Sequence, residues 1–180
     1  MTNLQSLYES IETARNQFIA TLQGLTQVQI NYKANSEEWC ILEIAEHITL
    51  AEQVGLNGMF KAVEGLKSGQ PIWEGESPNA GLSIEQIIAN TWQTKEKVPE
   101  VAKPRWGGSP KFWITALQNN RHLVEQLRHM MTDIDPHKTI YPHPISGPMD
   151  VVQRLEFLRF HLERHTAQIE RIKSGESFPN

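Results

Sequence analysis

Residues 143–173, HPISGPMDVVQRLEFLRFHLERHTAQIERIK, carry the reading of the fold. From Val151 onward, Leu155, Leu158, Leu162, Ile169 and Ile172 recur at three- and four-residue steps, the spacing that gathers apolar side chains on one side of a helix. Asp150 precedes the run and Gly175 follows it, so a helix over about residues 150–173 is predicted. Two histidines, His161 and His165, fall four residues apart inside this helix. That spacing sets both imidazoles on one face, roughly 5 to 6 Å apart at Cβ. They lie between Phe157 on one side and Leu158, Leu162 and Ile169 on the other, so they should face the interior against which the stripe packs.

Three more segments show the same periodicity. Leu4, Leu7, Ile11, Phe18 and Leu22 predict a first helix over about residues 3–23, stopped at Gly24. Ile41, Ile44, Ile48, Ala51 and Val54 predict a second over about 40–66, with Gly55 and Gly58 weakening its latter half. Ser109 can cap a third and Pro110 can take its first position, where no amide partner is needed; Trp113, Leu117, Val124, Leu127 and Met131 continue it. In the long connector before it, Ser83 and Gln86 form a capping box ahead of Ile87, Ile88 and Trp92, with Pro99 as the expected stop. No alternating strand pattern, internal repeat or low-complexity tract is evident. Four amphipathic helices must bury their stripes against one another. The expected fold is therefore all-α: a four-helix bundle with an elaborated connection, holding an extra short helix, between helices 2 and 3. Residues 1–180 are expected to make one domain.

With 39% hydrophobic and 21% charged residues, the chain has an ordinary globular composition. A net charge of −4, with Lys and Arg scattered, provides no field for a phosphate backbone, so nucleic acid is not an expected partner. Cys40 is the single cysteine, which excludes an intrachain disulfide and favours a reducing compartment. The start MTNLQSLYES has neither a basic nor an apolar leader region, and no apolar run reaches the roughly 20 residues a membrane span needs. The expectation is a cytoplasmic protein with no membrane partner. A homodimer is open, since a helical surface could support one, but nothing in the sequence fixes an interface.

His47 borders the stripe of Ile44, Ile48 and Ala51, so it too faces the bundle interior. Neutral imidazole suits zinc, nickel, iron or copper, and three protein ligands with one open position are the usual catalytic arrangement for zinc. A histidine on an apolar face also serves as a hydrogen-bonded core residue, and spacing alone leaves that reading open for each of the three.

Two segments resemble the DinB/YfiT-like superfamily. WCILEIAEHI, ending in His47 and Ile48, is similar to its Trp-Ser-x-x-Glu-x-x-x-His segment. The second is the turn His-Pro-x-x-Gly-Pro from His143, followed by a helix with His-x-x-x-His and then Gln168-Ile169. The resemblance implies a four-helix bundle with one divalent metal held by His47, His161 and His165, zinc or nickel foremost, iron or manganese after them. It also implies a function that varies among members, which include transferases and isomerases using a low-molecular-weight thiol. A small-molecule substrate and a thiol-dependent transfer to small electrophiles are thus the leading expectation. The alternatives are hydrolysis of a small molecule by metal and water, and a binding protein whose metal only staples the bundle. Cys40 stands where the family has a capping Ser or Thr, so this helix start is expected to fray or to use Asn35 or Ser36.

Other chemistries lack their residues. Three positions before His47, His161 and His165 stand Ile44, Leu158 and Leu162, not the Glu of a di-iron site. HLERH has Leu162 where a zincin needs Glu. No G-x-S-x-G elbow, P-loop or G-x-G-x-x-G occurs. Lesser candidates are Cys40 as a nucleophile at a helix start, His143 at the mouth of the site, and Glu43 or Gln168 as hydrogen-bond partners of a ligand imidazole. His122 and His129 are expected in solvent and His137 in a polar turn. Trp39, Trp106 and Trp113 either line a pocket or pack.

Overall fold

A computed structural model describes residues 4–92 and 98–180. Its long helices are α1 (Leu4–Leu22), α3 (Ile41–Lys67), α5 (Pro110–Met130) and α6 (Val151–Lys173), with short helices α2 (Gln27–Ile30) and α4 (Ile84–Thr91) and one 3-10 turn, Glu100–Ala102. α1 packs on α5 and α6, and α3 packs on the same two, which closes a square four-helix bundle. Of the predicted short helix, the stretch from 93 to 97 lies outside the described residues; α4 itself begins at the expected Ser83–Gln86 capping box. The single turn α2, with its own box at Thr26 and Gln29, lies between the first two predicted helices, where the sequence signalled no element.

The stripes meet in two apolar layers. One gathers Phe18, Ile41, Ile44, Ile48, Trp113, Leu117 and Leu162; the other gathers Leu7, Ile11, Leu56, Met59, Val124, Leu127, Leu155 and Leu158. A polar network joins three helices inside the bundle. Arg15 on α1 pairs with Glu12 and Glu52, and Glu52 accepts at 3.1 Å from Asn120 on α5. A buried ion pair needs this extra bonding, because each lone pair left unmatched keeps its desolvation penalty.

Two sequence expectations are corrected. The helix start at Cys40 neither frays nor moves upstream: Cys40 is the N-cap, and Glu43 accepts its backbone N–H at 2.8 Å. Glu43 therefore completes the cap that the thiol fills weakly, and its other contact is Lys33, not an imidazole. To the expected all-α bundle the structure adds a small two-stranded sheet that no alternating pattern announced. Ile140–His143 (β1) and Gly147–Asp150 (β2) form an antiparallel hairpin around the predicted turn, with Pro142 opposite Pro148. Neither proline can donate, so ladder bonds must come from flanking pairs, and such short proline-bearing strands carry no period-two signature. Ser109 takes the expected N-cap position of α5, with Pro110 first in the helix, but its side chain makes no capping bond.

The hairpin is tied to the long connector. Asn79 donates to the carbonyls of Ser146 and Pro148, each at 2.8 Å, and Gln153 donates to the Asn79 and Leu82 carbonyls. Ile84 and Ile87 of α4 then pack on Met149 and Phe157. Connector and hairpin together wall one flank of α3 and α6. Among the described residues no helix is long and apolar enough to cross a membrane.

Candidate metal centre

The amphipathic stripes that build α3 and α6 turn His47, His161 and His165 toward each other. All three are buried, at 5%, 9% and 7% exposure. His161 Nε2 lies 3.1 Å from His165 Nε2 and 3.4 Å from His47 Nε2, and the potential ligand atoms of the three lie within 4.8 Å of one another. Tetrahedral zinc with Zn–N bonds near 2.05 Å spaces its nitrogens about 3.3 Å apart. The donor set fits such an ion.

Tautomers sharpen the point. His47 Nδ1 lies 2.8 Å from the Ala102 carbonyl, which can only accept, so the proton is on Nδ1 and Nε2 carries a bare lone pair. His165 Nδ1 lies 2.7 Å from Gln168 Oε1, which fixes the same tautomer. Two lone pairs thus face His161 Nε2, which can bring at most one proton. A cation satisfies all three nitrogens. Burial holds every ring neutral: the His47 pKa is lowered by desolvation, His165 is pushed down to about 3 by burial and then His47, and His161 goes well below its usual value by burial and its two neighbours. Neutral imidazole is the form that ligates.

The Ala102 carbonyl is placed by a buried carboxylate. Glu46, next to His47 on α3, accepts from the backbone N–H groups of Arg105 at 2.6 Å, Trp106 at 2.9 Å and Gly107 at 2.9 Å. This clamp pins the segment whose 3-10 turn presents Ala102 to His47. A backbone acceptor has no side-chain identity, so no residue pattern could have found it.

The centre opens on a cavity of about 690 Å³, lined among others by Trp39, Trp92, His143, Arg154, Phe157 and Arg164. The Trp39 ring centre lies 4.9 Å from that of His47, and Phe157 stacks on His161 at 5.2 Å. Trp39 alone of the three proposed tryptophans lines the cavity. Trp113 is buried and donates to the Gly107 carbonyl, while Trp106 is 64% exposed and stacks on Trp113. Trp92 joins the wall instead. The His143 ring lines the cavity, and its Nδ1 also accepts from the backbone N–H groups of Ile145 and Ser146 in the turn. Cys40 is buried and burial raises its pKa, which opposes a nucleophilic role. His122 and His129 are exposed; His137, in its turn, bonds to Asp150 at 2.8 Å.

Arg154 is the residue that sequence reasoning passed over. It stands four residues before Leu158 and seven before His161, hence on the inward stripe, and that register was the available signal.

A sequence model of the DinB superfamily matches residues 10–169. The chain is 27% identical over 157 residues to the uncharacterized protein YuaE of Bacillus subtilis (strain 168), covering 84% of this chain and 88% of that one. Among solved structures it is similar to TT2238, a four-helix bundle protein, with TM-score 0.59 and 14% identity over 94% of this chain and 99% of that one. The likeness to TT2238 speaks to the fold alone.

Proposed function

Because the chain belongs to the DinB superfamily, we propose that it is a metal-dependent enzyme in which His47, His161 and His165 hold one divalent cation, and that it transfers a low-molecular-weight thiol to small electrophiles. The observation that carries the metal reading is the convergence of the three Nε2 atoms at the cavity, two of them with tautomers fixed by Ala102 and Gln168. A bound divalent cation supplies Lewis acidity and stabilises an anion at neutral pH. The chain's own groups do the rest. Three neutral ligands leave the positive charge of the ion uncancelled, the buried rings keep water from the ligand side, and the aromatic wall of Trp39, Trp92 and Phe157 orients an apolar body.

Transfer is favoured over hydrolysis by the state of the carboxylates. Of those lining the cavity, Glu52 is engaged by Arg15 and Asn120, and Glu37, Glu38 and Glu100 are exposed. None is held as a buried general base, which a thiolate nucleophile does not need.

The test begins with metal analysis of untagged protein beside His47→Ala and His161→Ala. Stoichiometric metal in the wild type and its loss in both variants is expected; full retention in both refutes the triad. Anaerobic incubation of the loaded protein with thiols and an electrophile such as a chloronitrobenzene should then consume both. Turnover without thiol points to hydrolysis, and metal that raises Tm without any turnover points to a staple.

A further inference from the structure

Arg154 presents an unusual combination for a cationic side chain. It is 5% exposed, and its Nε and Nη1 are buried without a hydrogen-bond partner. Among the described residues no carboxylate pairs with it. Its guanidinium packs over the rings of Tyr141, at 5.6 Å, and Phe157, at 5.9 Å, which orient it but accept no N–H bond in the plane of the fork. A Cβ at Gly55 would lie 3.4 Å from Nη2, so α3 leaves room there for the guanidinium. Tyr141 in turn rests on Gly58, where a Cβ would overlap one edge of its ring. The glycines that weaken α3 as a helix thus make a slot for one arginine and the ring beside it.

A buried charge without a partner is strongly unfavourable, and proteins retain one where something else supplies the counter-charge. Burial lowers the Arg154 pKa to about 10, still protonated at neutral pH. The residue lines the same cavity as the three histidines and lies two helical turns before His161, about 10 Å along α6. A guanidinium fork matches carboxylate geometry with two parallel bonds.

We propose that Arg154 is an oxyanion subsite of this cavity, so that one of the small molecules it takes carries a carboxylate or similar oxyanion about 10 Å from its reacting atom. This deepens the metal-enzyme reading and rests on it only for where the reacting end lies; the anion subsite itself needs no metal. Arg154 binds and orients, and the aromatic wall covers the chain between the charged end and the histidines.

The experiment measures binding of octanoate and octanamide to metal-free protein by calorimetry, in the wild type, Arg154→Met and Arg154→Lys. Octanoate should bind at least tenfold tighter than its uncharged amide in the wild type. The preference should vanish in Arg154→Met and survive in part in Arg154→Lys, which keeps the charge without the fork and serves alone if the methionine variant does not fold. Cobalt-loaded protein then receives 8-mercaptooctanoate and 8-mercaptooctanol. A further gain for the mercapto acid over octanoate places the anion on the thiol, whereas octanoate binding unchanged by saturating 2-mercaptoethanol places it on the other reactant; both support the subsite. Equal binding of acid and amide in the wild type, or a preference that keeps its full wild-type size in every folded Arg154 variant, overturns it even if the histidines hold metal. Conversely, an acid preference lost with Arg154 supports it even if no metal binds.

Discussion

Replacing Glu46 by Gln tests whether the clamp on residues 105–107 governs the metal centre. The carboxylate accepts three backbone N–H groups, two on Oε1 and one on Oε2. The amide keeps one oxygen for the first two, now as neutral bonds about half as strong, and turns its NH2 toward the Gly107 N–H, leaving that donor opposed. Weakening two bonds by about 1 kcal/mol each and losing one of about 2 kcal/mol is offset in part because a neutral amide is easier to bury than a carboxylate. A net loss of roughly 2 kcal/mol remains, a drop in Tm of about 4 to 8 °C for a chain of this size. The segment bearing Ala102 then loosens, and the 2.8 Å bond that orients His47 weakens with it. Partners of ligand imidazoles contribute about 10- to 100-fold to metal affinity, and an indirect loosening should take about tenfold. Thermal melts of metal-free protein give the first number and cobalt titration the second. Glu43→Gln is the control, since Glu43 caps the same helix without touching the triad or the clamp. Unchanged affinity in Glu46→Gln, or an equal fall in the control, refutes the link from clamp to ligand.

Gln168→Leu removes the acceptor of His165 Nδ1 and should weaken metal binding about 10- to 100-fold while the fold persists, by cobalt titration and circular dichroism. Metal-free protein should lose stability as the pH falls. His165 has a folded pKa of about 3, below the unfolded value near 6.5, so the unfolded chain binds the extra proton between those values and native stability is fully present only above the upper one. At about 1.4 kcal/mol per pH unit, His165 alone removes about 3 kcal/mol by pH 4.5. His165→Leu should flatten that slope in melts from pH 7.5 to 4.5, and an unaltered slope would contradict the assignment. Gly58→Ala drives a methyl into the Tyr141 ring and should destabilise by about 1 to 3 kcal/mol in chemical denaturation, whereas Gly69→Ala, in an open turn at φ +73°, reports only backbone strain.

The bundle was readable because its helices obey one period. Val151 through Ile172 and Ile41 through Ala51 each present a continuous stripe, and the observed α6 and α3 start within a residue of the predicted bounds. His161 and His165 were visible as a pair for the same reason. His47 lay on a correct face but was one inward histidine among many that only form hydrogen bonds, and the resemblance, not the spacing, joined it to the others. Elsewhere the determinants are non-local. Gly55 and Gly58 read as weaknesses of α3 because their purpose is contact with α6 and β1, a hundred positions or so away. The hairpin escaped notice because two facing prolines erase alternation. Ala102 contributes a carbonyl, which every residue has.

Glu46 and His47 are neighbours on α3, and both grip the same short segment: one accepts from three of its backbone N–H groups, the other donates a hydrogen bond to its carbonyl. Coupling of this kind is reciprocal. If docking of the segment strengthens ion binding by orienting His47, the ion must tighten docking by an equal free energy. Occupancy of a buried centre is thereby written on the surface, where Arg105 is exposed ahead of Trp106. Tryptic cleavage after Arg105 should slow in proportion as metal is added, giving a gauge of loading that needs neither a substrate nor a coloured ion.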